Sequence, residues 1–550
     1  MTLGAGRAAR RAGQAERSPE LALGSLMLAF EGEALPAVVA ERLRRAPAAG
    51  VTLFRFSNVA SPGQVRELAA AVQTAASRPD GAGPLLVAAD QEGGQLVALG
   101  DGTTAFAGNM ALGATADETL AERIGAAVGR ELRALGVNVA YAPACDLAVD
   151  PRNPAVGIRS FGDDPSAVGR FVAATVRGLQ SAGVAAALKH FPGIGDVAVD
   201  THDRLAVLDA DAERLAAREL VPFRHGIGAG ARLVMSAHLG VPALTGDPAL
   251  PSTLSPRIMS GLLRDELGFD GVSITDALDM RALAQGSNQV LDVLAALRAG
   301  VDLLLTGPDP DARARIEAGL AHAAVRGLLD EERLRASAGR VAALRSWLDG
   351  FLQPDLAVVG CREHADLADE LARRSITLVR DDAGLLPLRL PPDARIAAIQ
   401  PVPTDQTPAD TSSAVAPALA AALADRFGAV DEHVVGHDPS SAEIAAVRGA
   451  VADRDLVVVG TTAAFTVPGQ AALVDALLGL EAPLVTVALR TPFDLAAYPR
   501  SQTHVATYGI LPPTLRALAA ALAGDTPFEG RLPAAIPGLH PTGHGILRPS

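Results

Sequence analysis

The sequence predicts an α/β protein: a (β/α)8 TIM-type barrel followed by a three-layer αβα sandwich domain. Three observations carry this prediction. From residue 51 onward, short β-branched or apolar runs alternate with longer amphipathic segments rich in Ala, Leu, Arg and Glu, the pattern of βα units in a parallel sheet. Polar clusters follow these runs directly, as they do where strand ends share the functional rim of a barrel. A second alternating series begins after a break at Gly350 to Asp355, and 550 residues exceed what one core serves.

Seven barrel strands are visible: Val51–Phe54, Leu85–Ala89, Val137–Tyr141, Val184–Leu188, Leu233–Ser236, Val272–Thr275 and Val301–Leu305. The less regular stretches have room for an eighth. The rim clusters are Asp90-Gln91-Glu92, Asp146, Lys189-His190, His238 and Asp276. The barrel is assigned to 20–350, closing with the helical segment Glu331 to Trp347. Residues 1–19 are expected to be a disordered tail, and 351–370 a connecting helix. The second domain, 371–550, shows strands near Ile376–Val379, Arg395–Ile399, Leu456–Val459, Leu484–Ala488 and Val505–Tyr508. Pro401 to Ser413, rich in Pro, Thr and Asp, reads as a surface loop.

Composition excludes several function classes. Lys plus Arg number 48 against 62 for Asp plus Glu, a net charge of −14, and no long basic block exists. Nucleic acid and anionic membrane are therefore not expected partners. No apolar stretch approaches the ~20 residues of a membrane span. Arg7, Arg10 and Arg11 ahead of Leu21 to Phe30 have the outline of a secretory signal. However, Glu16, Glu20 and Glu31 crowd the run, and no small-x-small site follows it. Cys145 and Cys361 are the only cysteines and lack metal-ligand spacing, so a reducing cytoplasmic location and no metal or cofactor are expected. Nothing in the sequence fixes an oligomer; a monomer or weak homo-oligomer acting on a small molecule is expected.

The densest chemistry lies in Leu188-Lys189-His190-Phe191-Pro192-Gly193-Ile194-Gly195-Asp196 and the following Asp200-Thr201-His202. A cation, two imidazoles and carboxylates on a loop held by Gly and Pro cost folding energy, which favours function over a solvated loop with an Asp-capped helix start. Asp200, two residues before His202, can orient its ring for proton exchange near neutral pH. The second feature is Gly271-Val272-Ser273-Ile274-Thr275-Asp276, an apolar strand that ends in a carboxylate at the barrel mouth. Such an aspartate is either a nucleophile or a helix N-cap.

Together these segments resemble glycoside hydrolase family 3, in its two-domain β-N-acetylglucosaminidase (β-N-acetylhexosaminidase) branch that processes peptidoglycan fragments. The similar segments are Asp90-Gln91-Glu92-Gly93-Gly94, Ala142-Pro143 with Asp146, Gly157-Ile158-Arg159-Ser160-Phe161-Gly162, and above all Lys189-His190-Phe191-Pro192-Gly193 with Asp200-Thr201-His202. In the second domain, Ala372 to Val379, Gly384 to Leu388 and Gly530-Arg531-Leu532-Pro533 are also similar. The resemblance implies Asp276 as nucleophile, His202 as acid/base supported by Asp200, and Asp90, Arg159, Lys189 and His190 as contacts to the terminal sugar's hydroxyls. Arg159 and Lys189 can equally anchor loops by pairing with carboxylates, and His238 is either structural or binding. Three positions depart from the branch: Gln95 and Ala98 stand where arginines are usual, and Ile194 where a histidine is common. A phosphorylase using the same site and a catalytically retired sugar-binding paralogue are the alternatives.

Overall fold

A computed structural model describes residues 18–76 and 83–549. Most of the tail expected over 1–19 lies outside the described residues, while Ser18 and Pro19 already belong to a helical turn. Eight parallel strands form the first sheet: β1 Leu26–Leu28, β2 Gly50–Leu53, β3 Leu86–Ala89, β4 Val139–Ala140, β5 Ala185–Phe191, β6 Leu233–Ser236, β7 Val272–Thr275 and β8 Leu304–Leu305. Each pairs with the next in sequence, β8 pairs with β1, and a parallel bridge Ile274–Leu303 joins β7 to β8. The sheet thus closes on itself, and no edge is left unpaired. The strand hidden from the sequence is β1, inside the apolar run Leu21 to Phe30. The run ends a helical turn and then enters the buried strand Leu26–Leu28, which accounts for much of its apolarity.

Period-2 alternation divides the strand residues between two cores. Met27, Leu86, Ala88, Tyr141, Ala187, Met235 and Ile274 point inward, while Leu26, Leu28, Val87 and Ala89 pack against the outer helices. The helix Glu331–Asp349 stoppers the lower end, placing Val341, Leu344 and Leu348 against the inner cluster.

The helix Arg362–Ser375 crosses the expected boundary at 371 and leads into a six-stranded sheet. Its strands are β9 Thr377–Asp381, β10 Ile396–Pro401, β11 Val430–Val435, β12 Leu456–Thr461, β13 Leu484–Ala488 and β14 Thr503–Ala506, in the order β9-β14-β13-β12-β10-β11. Only β9 runs antiparallel to its neighbour. β11 escaped the sequence pattern because it is an edge strand, and most of its residues are exposed or half-buried.

The segment Pro401 to Ser413 is not the free surface loop that its composition suggests. Thr411 N donates to Gln95 O at 2.7 Å, and Val97 N donates to Thr411 Oγ1 at 3.1 Å, which docks the loop tip on the barrel rim. Its polar side chains are spent internally: Asp410 Oδ1 accepts from Ser412 N, and Oδ2 from the buried Arg490 at 2.8 Å. The chain's end also returns to the barrel, with Asp163 N bonded to Pro533 O and Ala535 N to Asp163 Oδ2.

Candidate active site

At the C-terminal mouth of the barrel lies a cavity of about 540 Å3, the size of a small-ligand pocket. Its walls carry Asp90, Arg159, Lys189, His190, His202 and Asp276, so all but one of the site residues expected from sequence converge there. The exception, Asp200, stands directly behind His202. A larger cavity of about 660 Å3 lies at the opposite end of the barrel, where Arg264 and Arg340 are both spent on the buried Asp302. None of the site residues expected from sequence lines it.

Asp276 follows β7 directly, and its Oδ1 accepts from Ala277 N at 2.8 Å. Burial pushes its pKa up. The imidazoles of His190, His238 and His202 and the Ala277 N–H outweigh that effect, so the carboxyl lies below the ordinary carboxylate range and is ionised. His202 presents its ring from the loop after β5, with Nδ1 at 2.6 Å from Asp200 Oδ1, which also accepts from His202 N. A carboxylate only accepts, so Nδ1 carries a proton and Nε2 is the exchanging atom. Burial lowers the His202 pKa, but Asp200 and the negative Asp276 raise it further, for a net upward shift. The backbone also couples the two loops, since Arg281 N donates to His202 O at 3.1 Å.

A charged hub holds the opposite wall. Glu92, with 1% of its side chain exposed, accepts from Arg159 Nε and Nη2, both at 2.9 Å, and pairs with Lys189 Nζ at 2.5 Å. Lys189 Nζ also reaches Asp90 Oδ1 at 2.5 Å. Burial alone would raise the Glu92 pKa, yet Arg159 and Lys189 hold it at about 2. Arg159 further donates to Ala155 O and His190 Nε2, which commits four of the five N–H groups of a guanidinium. Arg159 thus anchors this wall and keeps one N–H group for a ligand in the cavity that it lines. His190 has a fixed orientation, because Nε2 accepts from Arg159 and Nδ1 donates to Asp146 Oδ2 at 2.7 Å.

Glu92 and Asp146 were visible only as motif members and not as site residues, because their partners lie far along the chain. His238 resolves as structural: it is buried, its Nε2 donates to Ala277 O at 3.1 Å, and burial lowers its pKa. It steadies the backbone that carries Asp276.

The three departures have distinct consequences. Ile194 is buried, with its N–H on Asp146 and its carbonyl accepting from Asn153, so its side chain leaves the cavity unchanged. Ala98 gives the cavity an apolar patch where a cation was expected. Gln95 Oε1 accepts from Arg490 Nη2 at 2.6 Å, so a second-domain arginine locks this position. At the outer edge, Phe56 is 67% exposed, and Pro408 and Ala409 of the docked loop supply part of the wall.

Comparison with known proteins agrees with this geometry. Residues 23–344 match the glycosyl hydrolase family 3 N terminal domain. Beta-hexosaminidase A of Pseudoalteromonas piscicida is 37% identical over 378 residues, which cover 64% of this chain and 63% of that protein. A beta-N-acetylglucosaminidase/beta-glucosidase of Cellulomonas fimi is 31% identical, over 82% of this chain and 83% of its own. The solved family 3 beta-N-acetylglucosaminidase from Paenibacillus sp. str. FPU-7 superposes with a TM-score of 0.87 at 34% identity, covering 94% of this chain and 98% of that one. With an ionised strand-end aspartate facing an Asp-supported histidine in the matched region, the chain belongs to glycosyl hydrolase family 3.

Proposed function

We propose that the protein is a retaining β-N-acetylhexosaminidase that removes terminal β-linked N-acetylglucosamine, with peptidoglycan-derived fragments as its natural substrates. The observation that carries this reading is the pairing, across one cavity, of ionised Asp276 with a His202 whose proton sits ready at Nε2. Asp276 attacks the anomeric carbon while His202 protonates the leaving oxygen. The same imidazole then takes a proton from the acceptor that cleaves the glycosyl ester. Asp90, Lys189 and His190 hold the sugar's hydroxyls, His190 by exchanging its 3.3 Å contact with Arg159 for a hydroxyl, and Arg159 fixes that wall. The two free cysteines fit a reducing cytoplasm, and among the described residues no helix is long and apolar enough to cross a membrane.

The test is turnover of 4-nitrophenyl N-acetyl-β-D-glucosaminide, with NMR reading the first-formed anomer. Release of β-N-acetylglucosamine supports the proposal. No turnover, or an α-product, overturns it. Repeating the assay in phosphate separates hydrolysis from phosphorolysis. A neutral His202 does not repel phosphate from the glycosyl-enzyme as a carboxylate would, but Lys189 and Arg159 are already committed to Asp90 and Glu92. Hydrolysis is therefore the expected main reaction, and a majority of sugar-1-phosphate at millimolar phosphate would reverse that assignment.

The pH profile follows from the same groups. The first step needs Asp276 ionised and His202 protonated. Because the Asp276 pKa is lowered, the acid limb of kcat/KM falls below ~3.9; because that of His202 is raised, the basic limb falls above ~6.5. Asp200→Asn removes part of the upward shift, so its basic limb should move to lower pH. An unmoved limb would detach Asp200 from His202.

A further inference from the structure

Two carboxylates in the cavity, Asp203 and Asp279, are unused by the mechanism and carry no ion pair with another of the described residues; Asp203 lies on the acid/base loop and Asp279 on the nucleophile's. Asp279 stands three residues beyond the nucleophile on the same loop and lines the cavity wall. Every other carboxylate there has a partner or a place on the acid/base loop. Asp90 binds Lys189, Asp410 binds Arg490, Asp276 is the nucleophile, and Asp203 sits next to His202. Asp279 makes no ion pair and no side-chain hydrogen bond with another of the described residues, and it is exposed to solvent. The fold makes room for it: a Cβ on Gly307, just past β8, would collide with Asp279 Oδ2. The same cavity also has apolar lining, supplied by Met235, Met280, Leu305 and Pro308.

The sugar's orientation gives this free acceptor its meaning. If Asp276 attacks C1 and the Asp90, Lys189 and His190 wall holds the remote hydroxyls, the substituent on C2, adjacent to C1, faces the nucleophile's own loop and the end of β8. That wall offers one free hydrogen-bond acceptor beside apolar side chains. A 2-acetamido group presents an N–H donor and a methyl, whereas a 2-hydroxyl has no methyl to place. Burial raises the Asp279 pKa and Asp276 adds to the rise, against its own backbone N–H. A bound sugar would shield this carboxylate further from solvent, and an amide donor would offset that cost.

We propose that Asp279 is the specificity-determining residue for the C2 substituent: it accepts the acetamido N–H while Met235, Met280 and Leu305 enclose the methyl. This inference rests on the hexosaminidase reading above and adds the group that distinguishes an acetamido sugar from its 2-hydroxy counterpart. The test compares kcat/KM for 4-nitrophenyl N-acetyl-β-D-glucosaminide and 4-nitrophenyl β-D-glucoside in the wild type, Asp279→Asn and Asp279→Ala. In Asp279→Ala the acetamido-to-glucoside ratio should fall about ten- to hundred-fold, the range of one hydrogen bond to a charged group. Asp279→Asn, whose amide oxygen still accepts, should fall between. Glucoside turnover shows that each variant is folded, and the ratio is blind to general damage at Asp276. Equal losses on both substrates would overturn the role of Asp279 and leave the hexosaminidase reading intact. A wild-type protein that cleaves the glucoside but not the acetamido glycoside would overturn the reading itself, and this inference with it.

Discussion

Asp276→Ala is expected to lower kcat by at least about 10⁴-fold, since it removes the strand-end carboxylate to which the glycosyl ester is assigned. The carboxylate is ionised despite its burial, Ala277 N–H holds its Oδ1 and His238 holds the Ala277 carbonyl, so the group is preorganised for attack. The substitution removes an acceptor from a solvent-filled cavity and leaves little unsatisfied. His238 keeps its bond to the Ala277 carbonyl, so folding should survive and an unchanged thermal midpoint is expected. The positive counterpart is a 2-deoxy-2-fluoro glycoside whose activated leaving group departs but whose ester turns over slowly. Peptide mapping should place that adduct on Asp276. Wild-type kcat in the alanine variant, or an adduct on another residue, would remove the nucleophile assignment.

What the sequence made legible was whatever is local. Asp200 and His202 are two residues apart, and the structure joins them at 2.6 Å, so the dyad could be read from a short segment. Asp276 could be read because an apolar strand ends on it. β1 could not, since a strand of three residues, Leu26–Leu28, lacks the length to show a period. β11 could not, because an exposed edge strand has no buried face to write a pattern. The Glu92 hub depends on Arg159, 67 residues away, and on strands β3 and β5 converging. The lock between Gln95 and Arg490 spans 395 residues, and its loop, Pro401 to Ser413, has the composition of free surface. Such pairings are set by tertiary packing, to which local patterns are blind.

For His202, the expected loss depends on the leaving group. Removing a general acid costs about 10²–10⁴-fold where the departing oxygen needs a proton. His202→Ala should therefore lose that much kcat/KM on an alkyl or disaccharide glycoside and far less on a 2,4-dinitrophenyl glycoside, whose phenolate departs unaided. The reason is positional: Asp200 fixes the Nδ1 proton, so Nε2 alone exchanges, and the bond from Arg281 N to the His202 carbonyl ties this loop to the one that carries Asp276. Deglycosylation also needs Nε2 as a base, so with the activated substrate the slow step should shift to breakdown of the ester and a pre-steady-state burst should appear. Asp200→Asn retains the ring but loses the anion that raises its pKa, and it should fall between the wild type and His202→Ala. The decisive measurement is the dependence of kcat/KM on leaving-group pKa, which should be steep in the alanine variant and shallow in the wild type. Equal slopes would mean that His202 gives no proton to the leaving group.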